Sequence, residues 1–174
     1  ETVPYPLSNC SPIVITYISN FLPYKNHDKV IKAVSNLVNK NHNLTLNLVG
    51  NSSNFAKEYF CEILREKKFI NSFVKLVQNV GQNDIPKILG KTHIFIFASS
   101  CENMPNTLVE GMAAGLPIAC SNIWSMPEIL KNGGVYFNPN EVESIQKALK
   151  SLLLNPQLRE DKKSESLRLA QNFS

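Results

Sequence analysis

Residues 94–120, IFIFASSCENMPNTLVEGMAAGLPIAC, contain one full turn of the rhythm that decides the fold. Ile94 to Ala98 is the most apolar stretch of the chain, the pattern of a strand covered on both faces. The polar loop Ser99 to Asn106 follows it. A helix is predicted from about Thr107 to Ala114, stopped by Gly115 and Pro117, and Ile118-Ala119-Cys120 is the next strand. Strand, helix and strand at this spacing make a βαβ unit with parallel strands and a right-handed crossover.

The alternation extends in both directions. Ile13 to Ile18 reads as a first strand, and Val30, Ile31, Val34, Leu37 and Val38 recur at helical spacing after it. Leu44 to Val49 is a second strand that ends in Gly50. Phe55 to Lys68 is predicted helical, with Phe60, Ile63 and Leu64 inward. A third strand begins at Val74 to Leu76 and closes near Val80-Gly81; a short helix runs from about Asp84 to Leu89, with Gly90 at its C-terminal cap. Beyond the quoted stretch, Val135 to Phe137 is a sixth strand. Val142, Ile145, Leu149 and Leu152 share one helix face, and Pro156 opens a last helix. The fold class is α/β: a doubly wound, Rossmann-like parallel sheet of about six strands with helices on both faces, one domain over residues 1–174. Ligands in such sheets lie beyond the carboxyl ends of the strands, so the loops after the first four strands are the ones to read.

Composition narrows the function. With 43% hydrophobic and 18% charged residues, the 174-residue chain is globular rather than disordered. No apolar run approaches a membrane span, and Glu1-Thr2-Val3-Pro4 has neither the basic nor the apolar region of a signal peptide. The net charge of +4 is scattered, without the dense basic stripe of a nucleic-acid binder, so no nucleic acid is expected. That surplus suits an anionic small ligand or weak adhesion to an anionic membrane surface. Cys10, Cys61, Cys101 and Cys120 are far apart, as expected for buried or half-buried thiols in a reducing cytoplasm. His27, His42 and His93 show no ligand spacing, so no metal site is expected.

Neither a P-loop nor a G-x-G-x-x-G fingerprint is present. The first loop places Lys25 beyond the end of strand one, where it either reaches a diphosphate as a point charge or is simply solvated. In the fourth loop, Glu102 and Glu110 flank the start of a helix. The N–H groups of Asn106, Thr107 and Leu108 there are expected to be free donors, an anion site without a glycine loop. Glu110, in the expected first turn, could accept hydrogen bonds from the cis-diol of a ribose. Thr107-x-x-Glu110 also matches a capping box, so the spacing leaves both roles open. Met112, Ala113 and Ala114 are expected to pack on the sheet.

Several motifs occur in family order: Asn20…Lys25, Leu48-Val49-Gly50, Val80-Gly81-Gln82, Glu102 through Pro117, Leu130 to Phe137, and Leu154-Asn155-Pro156. Across nearly the whole chain they resemble the C-terminal domain of family 4 GT-B glycosyltransferases, one half of a GT-B fold. The resemblance implies that Glu110 holds the donor ribose and Glu102 contacts the donor sugar. It gives the diphosphate and sugar to the backbone of Asn103, Met104, Pro105, Asn106, Thr107 and Leu108. Lys25 would neutralise the leaving diphosphate, and Val80 and Gly81 would lie against the base. Glu102 and Lys25 are then the catalytic residues, and no cofactor or metal is needed. Implied partners are a nucleoside-diphosphate sugar, a preceding acceptor-binding domain, and a glycan or lipid-linked acceptor. The setting would be the cytoplasm, at the inner face of the cell membrane where contact occurs. Two departures stand out. Ser19-Asn20 replaces the usual Gly-Arg, so Asn20 offers a hydrogen bond in place of a phosphate cation. Asn103-Met104-Pro105-Asn106 replaces a Gly-Phe-Gly run and alters the sugar pocket. A non-catalytic nucleotide-binding or partner-docking module on the same sheet is the rival reading, and a GT-B sugar-nucleotide epimerase is another.

Overall fold

The computed structural model describes residues 11–51, Tyr59 and residues 73–173. The helix expected over Phe55–Lys68, and with it Cys10 and Cys61, lies outside the described residues, Tyr59 excepted. Six strands form one sheet: β1 (Ile13–Ile18), β2 (Leu44–Val49), β3 (Val74–Val77), β4 (Ile94–Phe97), β5 (Ile118–Ser121) and β6 (Gly134–Phe137). Their order is β3-β2-β1-β4-β5-β6, and every pairing is parallel. The described helices are α1 (His27–Val38), α2 (Ile85–Leu89), α3 (Asn106–Ala113), α4 (Met126–Leu130), α5 (Val142–Leu154) and α6 (Pro156–Ala170).

The central strands have no polar face because both faces are covered. All four residues of β4 and of β5 are buried. β1 pairs with β2 from Ile13↔Leu44 to Ile18↔Val49, and with β4 through Ile15↔Ile94 and Thr16↔Phe95. Thr16, a polar residue in this core, shares a 2.7 Å hydrogen bond with Thr92. The core runs from Ile15, Leu46 and Phe95 in the sheet to Val34, Leu108 and Leu149 in the helices. The strand order reverses between β1 and β4, where the chain leaves in opposite directions and a crevice opens at the carboxyl ends.

Several expectations need correction. β3 stops at Val77 rather than near Gly81: its ladder ends with Gly50 N–H donating to Val77 O at 3.1 Å, and Asn79 then turns left-handed (φ 56). Gly90 is the C-cap of α2, as expected, in the right-handed region (φ −62). Gly115 is left-handed (φ 63) and stops α3 as expected. α4, five residues opened by Met126 and Pro127, was not expected from the sequence. Cys120 is buried, but Cys101 is exposed, because it rides the loop out of β4.

Candidate nucleotide-sugar site

Chain packing at the end of β1 creates the first half of the site. Gly50 ends β2 so close to Ser19 that a Cβ would lie 2.0 Å from the Ser19 carbonyl oxygen; only glycine fits. The chain then makes a short turn, Pro23–Lys25, closed by Lys25 N–H donating to Leu22 O at 2.9 Å. Asn26 takes a left-handed conformation (φ 54) and donates from Nδ2 to Ala98 O (2.9 Å) and Ser100 Oγ (2.6 Å). These bonds tie the β1 loop to the end of β4. Tyr17 Oη donates to Lys25 O at 3.0 Å from inside the core.

Lys25 is therefore fixed, nearly buried, and directed at Glu102. Its Nζ donates to Glu102 Oε1, and the two side chains keep only 11% and 14% exposure. The ammonium also sits 5.2 Å from the Tyr24 ring centre and 5.8 Å from that of Phe97, favourable faces for a cation. The ion pair adjoins a cavity of about 280 Å³ at the β1/β4 crevice, lined among others by Asn20, Val80, Pro105 and Thr107. The pairing holds Lys25 as a largely desolvated point charge beside this cavity.

His27 stiffens the floor. It stacks on Tyr17 with ring centres 4.9 Å apart, and its Nε2 lies 2.9 Å from Ser19 Oγ. Burial, with the Lys25 charge beside it, lowers its pKa to about 3, so the ring is neutral at pH 7. Its Nδ1 is buried without a hydrogen-bond partner among the described residues, which favours placing the ring proton on Nε2.

The second half comes from α3. Pro105, not Thr107, is its N-cap, and no side chain caps it, so the capping box does not form. With the helix starting at Asn106, Glu110 falls in the second turn rather than the first. Two of the three expected donors are already used: Asn106 N–H bonds Met104 O (3.0 Å) and Leu108 N–H bonds Pro105 O (2.9 Å). Thr107 N–H has no acceptor among the described residues. Glu110 is half-buried and borders a second, more apolar cavity of about 530 Å³ with Ile85, Pro86, Leu89, Ala113 and Ala114. Burial raises its carboxyl pKa above the usual carboxylate value. Ile85 lines both cavities, so the two are neighbours.

Asn20, Lys25, Val80, Glu102, Pro105, Asn106 and Thr107 thus converge on the first cavity and Glu110 on the second. Gly81, Asn103 and Met104 are exposed and line neither, while Leu108 points into the core at 0% exposure. Met112 is buried in the core as expected, whereas Ala113 and Ala114 are exposed and face the second cavity; Gly111 lies against Phe95 of the sheet. Sequence reasoning passed over Ser19, Asn51, Ile85 and His27. A Ser beside a strand end two residues from a buried Tyr was the only local signal for them. Among the described residues, no three His, Cys, Asp or Glu side chains gather as a metal-holding group, and no helix is long and apolar enough to cross a membrane.

The family model described as glycosyl transferases group 1 matches residues 6–167. The chain belongs to this family. Curated relatives of this group 1 chain include O-antigen chain mannosyltransferase B of Escherichia coli, 27% identical over 64% of this chain and 29% of the relative. Protein CapJ of Staphylococcus aureus is 26% identical over 82% of this chain and 36% of its own length. The chain therefore spans about a third of these relatives. Among solved structures, the C-terminal domain of a group 1 family protein, LpcC, from Francisella tularensis superposes with TM-score 0.83 at 18% identity, covering 93% of this chain and 87% of that one. HepE of Anabaena, in complex with UDP and glucose, gives TM-score 0.83 at 20% identity over 93% of this chain and 44% of its own. These likenesses establish the fold as the Rossmann-like half found in GT-B glycosyltransferases.

Proposed function

We propose that this group 1 chain is the donor-binding domain of a retaining family 4 GT-B glycosyltransferase. The enzyme moves a hexose-type sugar from a nucleoside diphosphate to a glycan or lipid-linked acceptor, in surface polysaccharide or glycolipid synthesis. The observation that carries this reading is the Lys25–Glu102 pair at the β1/β4 crevice, with Thr107 N–H beside it and Glu110 in the adjoining apolar cavity. The spatial order matches a nucleotide sugar. Ribose meets Glu110, the base lies among Ile85, Pro86 and Leu89, the diphosphate sits at Lys25 and Thr107, and the sugar lies by Glu102.

Negative charge develops on the departing diphosphate, so stabilisation there dominates the chemistry. Lys25 supplies the charge, the start of α3 supplies an N–H and its dipole, and Asn20 adds a neutral hydrogen bond in place of the Arg that the family resemblance implies. No metal is needed in this arrangement. Relatives named as mannosyltransferases, two of them O-antigen chain enzymes, support the hexose and the polysaccharide setting. A preceding domain would supply the acceptor site, at the cytoplasmic face of the membrane. The scattered net charge of +4 is compatible with peripheral contact there.

Ligand-observed NMR against UDP-, GDP-, ADP- and CMP-sugars, with Glu110→Ala alongside, tests the reading. Binding of one nucleotide class that weakens in the mutant supports it and names the base. Nucleotide binding that ignores the mutation would detach Glu110 from ribose, and no binding at all would favour the partner-docking module.

A further inference from the structure

Six large apolar side chains are exposed among the described residues, and three of them follow strands at the carboxyl edge of the sheet. Tyr24 (43% exposed) follows β1, Met104 (50%) follows β4 and Trp124 (70%) follows β5. Trp124 is the largest and the most exposed, and it is held in place. Its Nε1–H donates to Glu128 Oε1 at 2.8 Å. The ring's one polar group is thereby satisfied, and what it presents is an apolar face.

The loop beneath it is fastened to the site. Ser125 is held at φ 82, ψ −30, outside the regions residues with side chains ordinarily occupy. Such a conformation persists only when its surroundings hold it, and here Ser125 Oγ donates to the Glu102 carbonyl at 3.0 Å. The residue bearing the exposed indole is thus one peptide bond from a direct anchor on Glu102.

We propose that Trp124 is a sugar-stacking residue on the acceptor side of the site. A pyranose ring of the acceptor glycan lays its C–H face on the indole, beside the donor sugar at Glu102. This rests on the donor-binding reading above and adds a determinant of acceptor choice to it. An acyl chain would need a continuous apolar strip, whereas Trp124 is bordered by exposed Asn122 and Glu128, groups suited to hydroxyls. A stable protein interface needs roughly 800 Å² per partner with an apolar centre, and three separated side chains do not supply one. A ring already pinned loses little rotamer freedom on binding, which suits weak saccharide recognition.

Trp124 is the chain's single tryptophan, so its own fluorescence reports on the surface. The chain is titrated with α-mannobiose and with chitobiose, with GDP and UDP, and with vesicles of phosphatidylglycerol and phosphatidylethanolamine. Saturation-transfer NMR follows saccharide binding to Trp124→Ala and Trp124→Phe, whose folding is checked by circular dichroism. The expected result is a blue shift with a disaccharide, about five-fold weaker binding in Trp124→Ala, a smaller loss in Trp124→Phe, and unchanged nucleotide affinity in both. A disaccharide that binds Trp124→Ala as well as it binds the parent chain overturns the assignment, as does a panel in which no disaccharide shifts the emission. A shift with vesicles alone overturns it in favour of a membrane surface. Nucleotide binding is scored on separate ligands, so failure of the donor reading and failure of Trp124 are told apart.

Discussion

Gly111→Ala sets two effects of known size against each other. Gly111 lies inside α3, and a Cβ placed there would come within 2.8, 3.0 and 3.1 Å of three Phe95 ring carbons. Carbon contacts are comfortable at about 3.5–4.0 Å, so each falls short by roughly half an ångström or more. Phe95 is fully buried in β4, so its ring can yield only by moving within the core. Overpacking of this kind costs about 1–3 kcal/mol, while replacing a mid-helix glycine by alanine gains about 1 kcal/mol. The clash should win. The expected net is a loss of about 1 kcal/mol and a fall in Tm of roughly 3 °C, measured by urea and thermal unfolding followed by circular dichroism. Relief of the clash lifts α3 off the sheet, moving Thr107 and Glu110 with it, so nucleotide affinity should fall as well. A Tm that rises by the helix-propensity gain, with affinity intact, would show that α3 does not rest on Phe95 and would remove the reason for a glycine there.

Lys25→Ala should weaken nucleoside-diphosphate binding at least about ten-fold by calorimetry and lower stability, because Glu102 is left nearly buried and unpaired. Adding Glu102→Ala should restore part of the stability and none of the affinity; an affinity untouched by Lys25→Ala would take the diphosphate away from this residue. Glu110→Gln should raise Tm slightly at pH 7 while weakening nucleotide binding. The folded state holds this carboxyl pKa above its unfolded value, so stability is lost as pH rises above about 4.5, and the amide removes that loss. A stability profile identical to the parent's would refute it. His27, with its folded pKa lowered to about 3, should cause stability to fall as pH drops from about 6.5 toward 3, the unfolded chain binding the extra proton. His27→Leu should flatten that part of the curve in urea titrations at several pH values, and an unchanged slope would assign acid sensitivity to other groups.

The parallel sheet was legible because buried parallel strands leave an almost unbroken apolar signature. Ile13–Ile18 and Leu44–Val49 have the bounds their composition suggested. Features set by distant partners were not. β3 ends early at Val77; just beyond it the Asn79 N–H is held by Asn51 Oδ1 from another loop, and no local pattern encodes that bond. α4 is too short to display a helical period. In α3, the Thr107-x-x-Glu110 spacing suggested a cap, but Pro105 takes the N-cap position and leaves Glu110 free to face a cavity. The positions of Lys25 and Glu102 at strand ends could be read from the sequence. Their direct pairing could not, since it depends on Asn26 bridging to Ala98 and Ser100.

The reversal of strand order between β1 and β4 also bears on how the molecule is made. Lys25 emerges from the ribosome 77 residues ahead of Glu102, a delay of roughly 4–15 s at ordinary rates of synthesis. Throughout that interval β1 is the outer edge of a half-built sheet, with the row of backbone groups meant for β4 unpaired. The strand that ends at the centre of the finished sheet is thus a place where a nascent chain most needs cover.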